Sequence, residues 1–293
     1  MKILVLGISG MLGSTMFKYL SSNPAHDVYG TVREPEILKY FKPEQHSKII
    51  KDIDVLDLVH LGALIEQLKP EVVINCVGLI KQLADSKDPL VTLPLNSMFP
   101  HQLYKICEKL KIRVIHISTD CVFSGKRGMY TEEDVSDAED LYGKSKQIGE
   151  LVNLKNAITL RTSIIGHELK SNRSLVDWFL SQSGEVKGFR QAIFSGLPTI
   201  EVAEVIEKYV LPDKKLEGLF HLSVDPINKF ELLKLVSKEY NEDITIMPTD
   251  EVKIDRSLDS TKFRKATGYK PQPWPDLIAK MYKNFLEERV NNV

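Results

Sequence analysis

Two residues four positions apart, Tyr142 and Lys146, have side chains suited to acid–base chemistry. On a helix, positions i and i+4 lie on one face, so the phenol and the ammonium would be neighbours. A nearby ammonium stabilises a phenolate and lowers the tyrosine pKa from its usual value of about 10. The spacing predicts a general acid that protonates the alkoxide formed when hydride adds to a ketone. Because this spacing is common by chance, an ordinary pair on a surface helix is the alternative.

A hydroxyl partner for this pair is expected at the end of the apolar run 112–118, which predicts a strand. Ser118 and Thr119 lie there, and the carboxyl ends of parallel strands are where open α/β sheets bind ligands. A hydroxyl at that edge can donate to a developing oxyanion. We therefore predict that Thr119 binds a carbonyl oxygen, while one of the two hydroxyls caps the strand end.

A glycine-rich loop connects the first predicted strand to the first predicted helix. Gly7, Gly10 and Gly13 are spaced i, i+3, i+6, a form associated with short-chain dehydrogenases. Such a loop lets the backbone approach a pyrophosphate, and the helix N-terminus then offers free N–H groups and partial positive charge. The alternative is a set of turn glycines without a ligand. The predicted cofactor-binding residues of the loop are Gly7, Ser9, Gly10, Met11, Leu12 and Gly13.

The end of the second predicted strand bears on the choice of cofactor. NAD-specific proteins place a carboxylate there for the ribose 2′-hydroxyl, whereas this segment has Thr31 and Arg33 and no acid before Glu34. A guanidinium and a hydroxyl would hold a 2′-phosphate. We predict that NADP(H) is preferred over NAD(H), although an ordinary exposed loop arginine is the alternative for Arg33.

The elements that must position these residues alternate between buried strands and amphipathic helices. Apolar runs without alternation predict a parallel sheet covered on both faces. Right-handed βα repeats then give an α/β fold with a doubly wound parallel Rossmann sheet. The predicted strands are 2–6, 27–32, 48–51, 71–77 and 112–118, and the predicted helices are 11–22, 57–68, 97–111 and 142–154.

The pattern changes after about residue 160, where Pro and Gly become frequent. We predict a Rossmann domain over 1–165 and a smaller C-terminal α/β substrate lobe over 166–293, partly interleaved with the sheet. The predicted elements there are helices 201–211, 229–241 and 275–289 and strands 217–222 and 244–247.

Composition excludes several other classes of function. The 39 Lys and Arg residues balance 40 Asp and Glu, so no nucleic-acid or membrane partner is expected. Three cysteines without ligand spacing, and no HExxH, predict a reducing compartment and no metal site. Since no run of about eighteen apolar residues occurs, the expected location is cytoplasmic.

Several motifs resemble the extended short-chain dehydrogenase/reductases of the dTDP-4-dehydrorhamnose reductase family. They span nearly the whole chain and are strongest before about residue 165. The matching segments are Asp54–Asp57, Pro70–Asn75, Ser118–Gly125, Tyr142–Lys146 and Leu160–Ser163, with looser matches at Ser195–Thr199 and Arg256–Asp259.

The resemblance implies NADPH-dependent reduction of a 4-keto group on a nucleoside-diphosphate 6-deoxysugar, in surface polysaccharide biosynthesis. The catalytic residues would be Thr119, Tyr142 and Lys146, with Tyr142 as proton donor. Further cofactor contacts would come from Asp54 and Val55 at the adenine, and from Cys76, Val77, Gly78, Ser118, Tyr142, Lys146 and Thr162.

The chain departs from the family where the substrate is expected. Cys121 replaces a frequent tyrosine, and Ile164 replaces an aromatic residue, which changes how a sugar ring would stack. A UDP-linked or N-acetylated hexose is therefore an open alternative to the rhamnose precursor. The predicted substrate contacts are Lys81, Thr119, Cys121, Ile164 and Arg256.

Three other functions occur on this kind of scaffold. A sugar-nucleotide dehydratase would need an acid where Cys121 stands, which counts against it. An epimerase would keep the same triad and stays open. The family also resembles a regulatory subunit of methionine adenosyltransferase, a non-catalytic binder, although an intact triad favours catalysis. A homodimer formed through the helix that begins at Tyr142 is a further possibility.

Overall fold

The computed structural model describes residues 1–79 and 84–290, so the predicted substrate contact Lys81 lies outside the described residues. The strands within these ranges are β1 Lys2–Leu6, β2 Asp27–Thr31, β3 Ile49–Ile50, β4 Val72–Asn75, β5 Arg113–Thr119, β6 Ala157–Thr162, β7 Ile164–Ile165, β8 Glu185–Phe194, β9 Leu197–Pro198, β10 Gly218–His221, β11 Ile227–Asn228 and β12 Thr245–Asp255.

Seven of these strands form one parallel sheet in the order β3-β2-β1-β4-β5-β6-β10. The chain winds outward in one direction from β1 to β3 and in the other from β4 to β10. In such sheets ligands bind at the carboxyl ends of the strands, where the order reverses. The predicted doubly wound parallel sheet is confirmed, and its switch point lies between β1 and β4.

Helices cover both faces of the sheet. They are α1 Met11–Ser22, α2 Leu58–Leu68, α3 Pro89–Leu93, α4 Phe99–Lys109, α5 Leu141–Ile148, α6 Leu175–Leu180, α7 Thr199–Val205, α8 Lys229–Tyr240, α9 Thr261–Thr267 and α10 Trp274–Val290, with π-helical turns at Pro94–Met98 and Ile206–Val210.

Alternate residues of the central strands face opposite cores. Leu4 and Leu6 of β1 pack with α2 and α4, whereas Ile3 and Val5 pack with α1, α7 and α10. Both sets are inaccessible to solvent. This is why the strands are apolar at every position, as the sequence predicted.

The second half of the chain contributes to the central sheet and also forms a smaller, three-stranded sheet. Strand β10 extends the central sheet beside β6, while β8, β11 and β12 form a smaller sheet on which α8 packs. The order β11-β8-β12 is mixed, since β12 is parallel to β8 and β11 is antiparallel. The division at residue 165 stays a prediction.

Several predicted boundaries differ from the structure. The helix predicted over 142–154 ends at Ile148, and the next residue, Gly149, packs so closely that a Cβ there would lie 2.0 Å from the Asn96 carbonyl oxygen. The strand predicted over 244–247 extends to Asp255, and β8 was not predicted.

The homodimer stays a prediction. Across 1–79 and 84–290, none of the helices has the length and apolar character needed to cross a bilayer.

Candidate active site

The glycine loop after β1 has a geometry that side chains would prevent. Gly7 has φ +82°, a conformation that favours glycine. A Cβ on Gly13 would lie 2.2 Å from the Gly7 carbonyl oxygen, so α1 packs directly against the loop. The N-cap Gly10 supplies no side-chain hydrogen bond, and the first turn of α1 carries no acid. The N-terminus of α1 can therefore accept an anionic ligand.

Thr31 at the end of β2 contacts the glycine loop through its side chain. Its side chain is buried, and its hydroxyl oxygen lies 3.4 Å from the Gly7 backbone N–H, which donates to it. Arg33 is different: its side chain is 75% exposed, and its nearest carboxylate is Glu34 at 3.7 Å. The Thr31 hydroxyl, which was predicted to hold a 2′-phosphate, is thus buried and bonded to the glycine loop. Of the two predicted donors, Arg33 is the accessible one.

The segment after β4 lies opposite the glycine loop. A Cβ on Gly7 would meet the Val77 side chain at 2.9 Å, and one on Gly78 would lie 3.7 Å from the Lys146 Nζ. Burial raises the pKa of the Cys76 thiol to about 12, so Cys76 is neutral at physiological pH. The predicted residues Cys76, Val77 and Gly78 therefore lie between the loop and Lys146.

Two further predicted cofactor contacts follow β3. The Ile53 N–H donates to the Val32 carbonyl at 3.1 Å, which holds this loop against the end of β2. Asp54 is exposed and accepts from the Leu56 N–H at 2.9 Å, while Val55 is buried. This hydrogen bond brings the loop that carries Asp54 and Val55 close to Val32, which precedes Arg33 in the chain.

Thr119 and Tyr142 meet at the carboxyl end of β5. Asp140 caps the N-terminus of α5 by accepting from the Gly143 N–H at 2.8 Å, which fixes the start of the helix that carries Tyr142. Burial raises the pKa of Tyr142, while its hydrogen-bonding contact with Thr119 acts in the opposite direction. The expectation of a lowered tyrosine pKa is therefore wrong for this structure, because burial outweighs every stabilising contact.

Lys146 is buried one helical turn after Tyr142. Its Nζ donates to the Ile117 carbonyl oxygen at 2.9 Å, and burial lowers its pKa to about 8 although the charge of Glu150 raises it. The ammonium is directed toward the sheet and Gly78, which explains why it does not dominate the pKa of Tyr142.

Asn96, in the π-helical turn Pro94–Met98, connects the two halves of the site and was missed by sequence analysis. Its Oδ1 accepts from the Leu79 N–H at 2.8 Å, and its Nδ2 donates to the Leu79 carbonyl at 3.2 Å and to the Ser145 Oγ at 3.2 Å. It is almost completely buried. Asn96 therefore fixes the loop after β4 relative to α5. The sequence feature that could have indicated this role is a polar pair, Asn96 and Ser97, within an apolar helical segment.

A buried ion pair supports the same region. Glu150 receives both the Arg161 Nε and Nη2 at 2.7 Å, and the Ser118 hydroxyl donates to its Oε1 at 2.7 Å. Both charged side chains are almost fully buried. Ser118 therefore holds the end of α5 against β5, and its hydroxyl is not directed into the crevice. Thr162, the last residue of β6, is buried and donates to the Ser163 carbonyl at 3.2 Å.

Cys121 follows Thr119 closely, and its N–H donates to the Thr119 hydroxyl oxygen at 3.1 Å. Arg256 Nη1 is 3.9 Å from the Cys121 Sγ. Burial raises the pKa of Cys121 to about 12, so this thiol is no nucleophile at neutral pH. Ile164 is part of the short strand β7, which pairs with β9. Lys229, which sequence analysis did not single out, is the first residue of α8, and burial lowers its pKa.

A family model described as RmlD substrate binding domain matches residues 1–287 of this chain. Methionine adenosyltransferase 2 subunit beta from Mus musculus is 25% identical over 312 residues, covering 96% of this chain and 90% of that protein. A dTDP-4-dehydrorhamnose reductase from Aggregatibacter actinomycetemcomitans is 23% identical over 297 residues, covering 93% of this chain and 95% of that protein.

The fold also matches solved structures. A crystal structure of dTDP-4-dehydrorhamnose reductase from Bacillus anthracis, in complex with NADP, superposes with a TM-score of 0.79 at 19% identity. The match covers 97% of this chain and 99% of that chain. At this identity the likeness establishes the common fold.

Proposed function

We propose that this chain, which belongs to the RmlD substrate binding domain family, is an NADPH-dependent reductase of a nucleoside-diphosphate 4-keto-6-deoxysugar. The family places it among the extended short-chain NAD(P)-dependent oxidoreductases. The observation that carries the finer proposal is the convergence of Thr119, Tyr142 and buried Lys146 beside the glycine loop.

The fit of the loop to a dinucleotide supports a bound NADP(H). Gly13 removes the Cβ that would fill the space against Gly7, and α1 begins without a side-chain cap. Gly7, Ser9, Gly10, Met11 and Leu12 would hold the pyrophosphate, and Asp54 and Val55 would lie at the adenine. Arg33 would bind the 2′-phosphate, since its guanidinium is exposed and its nearest carboxylate among the described residues is Glu34 at 3.7 Å. The bound cofactor supplies the hydride that adds to the carbonyl carbon.

The proposed triad Thr119, Tyr142 and Lys146 would act on the carbonyl oxygen of the substrate. Thr119 and Tyr142 would both donate to it, which orients the ketone and stabilises the negative charge that develops. Tyr142 then gives its proton to this oxygen, so the product is the alcohol and the phenolate is left behind. The raised pKa keeps the phenol protonated before the reaction. Lys146 would hold the nicotinamide ribose and help to return a proton to the phenolate.

The test is oxidation of NADPH by the purified protein, followed by absorbance, with a panel of dTDP-, UDP- and GDP-linked 4-keto-6-deoxysugars generated in situ. We expect oxidation with at least one member, which would identify the base and sugar together. Stoichiometric consumption of NADPH separates a reductase from an epimerase, which regenerates its cofactor. Tight NADPH binding without oxidation by any member would contradict the proposal.

A second candidate is a non-catalytic NADP-binding subunit. It is favoured by the similarity to Methionine adenosyltransferase 2 subunit beta over 96% of this chain. A binder has no need of a phenol and a buried ammonium at the strand edge, and this weighs against it. Co-purification with a partner, together with absent turnover, would favour the binder.

A further inference from the structure

His116 is a buried histidine of β5, the strand that ends at Thr119. It is inaccessible to solvent and pairs across the sheet with Asn75, the last residue of β4. Its Nδ1 lies 3.1 Å from the Asn75 Nδ2. Its Nε2 is also buried and hydrogen-bonds to no residue of 1–79 or 84–290. Within these ranges, the side chain of His116 therefore makes its polar contact with Asn75.

The hydrogen bonds of Asn75 determine which nitrogen of His116 carries the proton. The Asn75 Oδ1 accepts from the Val77 N–H at 3.1 Å, so the amide NH₂ is the group that faces the histidine. Because an amide NH₂ only donates, the His116 Nδ1 must be an unprotonated acceptor. Burial holds the pKa of His116 well below its usual value, and the charges of Lys146 and His101 act in the same direction. The ring is therefore neutral, with its proton on Nε2.

The same amide directs the chain beyond β4. The Cys76 N–H donates to the Leu6 carbonyl oxygen at 3.2 Å, whereas the next N–H, that of Val77, turns back to the Asn75 side chain. Val77 is thereby held against the glycine loop, where a Cβ on Gly7 would lie 2.9 Å from its side chain. The position of Val77 opposite the loop thus depends on the orientation of the Asn75 amide.

We propose that His116 is a positioning residue for the cofactor: its acceptor nitrogen fixes the Asn75 amide, and the amide holds the Val77 N–H so that the segment after β4 is ready to receive NADP(H). This inference rests on the cofactor-binding part of the proposed function and is independent of the sugar. A segment held in place before its ligand arrives loses less conformational entropy on binding. Without the acceptor, the buried NH₂ group would have no partner, and the amide could turn away from Val77.

The first experiment measures the dissociation constant of NADPH by fluorescence titration of the full chain, together with denaturant unfolding. The variants are His116→Phe, which keeps a ring but removes the acceptor, and His116→Gln, whose carbonyl oxygen can accept from the Asn75 amide. The matched control is Thr159→Val. Thr159 pairs with His116 across the sheet and is equally buried, but its hydroxyl bonds to the Leu151 backbone instead of to the segment after β4.

We expect His116→Phe to weaken NADPH binding about tenfold, His116→Gln to recover most of the loss, and Thr159→Val to stay within about twofold. Thr159→Val should destabilise the fold at least as much as His116→Phe, because it loses both contacts with Leu151. Lost stability alone would then not explain the difference in affinity.

Two other results would separate this inference from the proposed function. Equal NADPH affinity of His116→Phe and the wild type overturns the inference alone, whereas a wild type that does not bind NADPH overturns both. Binding that depends on His116, without reduction of any sugar, would remove the proposed reductase and support the inference.

A second measurement needs no variant. Long-range ¹H–¹⁵N NMR spectra of the wild type distinguish the two neutral tautomers of a histidine from the charged ring. We expect His116 to have its proton on Nε2 and to stay neutral at about pH 6, where an ordinary histidine is mostly charged. A proton on Nδ1, or a charged ring at about pH 7, would exclude the acceptor role.

Discussion

The two sides of the crevice are built by different means. The proposed cofactor side comprises the glycine loop 7–13 and the ends of β2 and β4, and it is shaped by close backbone packing, as between Gly7 and Gly13. The proposed substrate side includes Cys121 and Arg256, which come from distant segments and meet through their side chains. The shape of the cofactor side thus depends on residues that are close in sequence. On the substrate side, a single substitution can alter one contact and leave the backbone in place.

The comparison implies that chemistry and cofactor binding can be lost separately, and Tyr142→Phe gives the largest expected effect. Removal of the proton donor should lower kcat about 100- to 10,000-fold, because general acid catalysis is lost. NADPH affinity should change little, since the glycine loop is untouched. Steady-state kinetics and fluorescence titration of NADPH measure the two quantities. Ordinary turnover in this variant would remove Tyr142 as the acid.

Gly13→Ala tests the backbone packing of the cofactor side. The new Cβ would lie 2.2 Å from the Gly7 oxygen, so loop and helix must separate. We expect a loss of about 1–3 kcal/mol in the free energy of unfolding, together with weaker NADPH binding.

Gly62→Ala is the matched control, because a Cβ at Gly62 meets nothing within 4 Å. It lies in α2 and should stabilise the protein by about 0.5–1 kcal/mol. Denaturant unfolding measures both variants. Equal behaviour of the two would show that close packing at Gly13 is unimportant.

Arg33→Ala tests whether Arg33 sets the preference for NADPH over NADH. Loss of one charge-assisted contact to the 2′-phosphate should weaken NADPH binding about tenfold, whereas NADH binding should stay within about twofold. Titration of both cofactors measures the ratio, and Arg33→Lys should recover part of it. Equal losses for the two cofactors would mean that Arg33 does not contact the phosphate.

The smallest expected effect is a pH dependence that comes from Lys146. Its pKa is lowered to about 8, so the ammonium is present below that pH and is lost as pH rises through it. The proposed role needs the charged form, and kcat/KM should therefore halve near pH 8 and then fall about tenfold per unit. Tyr142 stays protonated over this range because burial raises its pKa. Lys144→Gln, at an exposed position of α5, should leave the profile unchanged; a flat profile to about pH 9 would exclude the role.

The same contrast explains what could be predicted from the sequence. The order of strands in the first half and the glycine loop follow from apolar runs and local spacing, and the doubly wound sheet is confirmed. The role of Asn96 depends on a contact with Ser145, 49 residues away along the chain, which the polar pair Asn96 and Ser97 does not identify by itself. The sign of the Tyr142 pKa shift was predicted wrongly, because burial cannot be judged from an i, i+4 pair.

Strand β8 was missed for a related reason. Its inward positions, such as Val186 and Ala192, alternate with exposed charged residues over only part of its length. Its partner β12 begins 51 residues after the end of β8, at Thr245 following Phe194, so neither strand has a stabilising neighbour nearby in sequence.

The pairing of β10 with β6 has a consequence for biosynthesis. On the ribosome, residues 1–165 emerge with β6 as an open edge, and the apolar face beneath α7 and α10 stays uncovered until the second half follows. An exposed strand edge is a template for association between chains. We expect a fragment truncated at residue 165 to aggregate on expression, so that the nascent polypeptide completes its folding only after His221 and the C-terminal helix have been released.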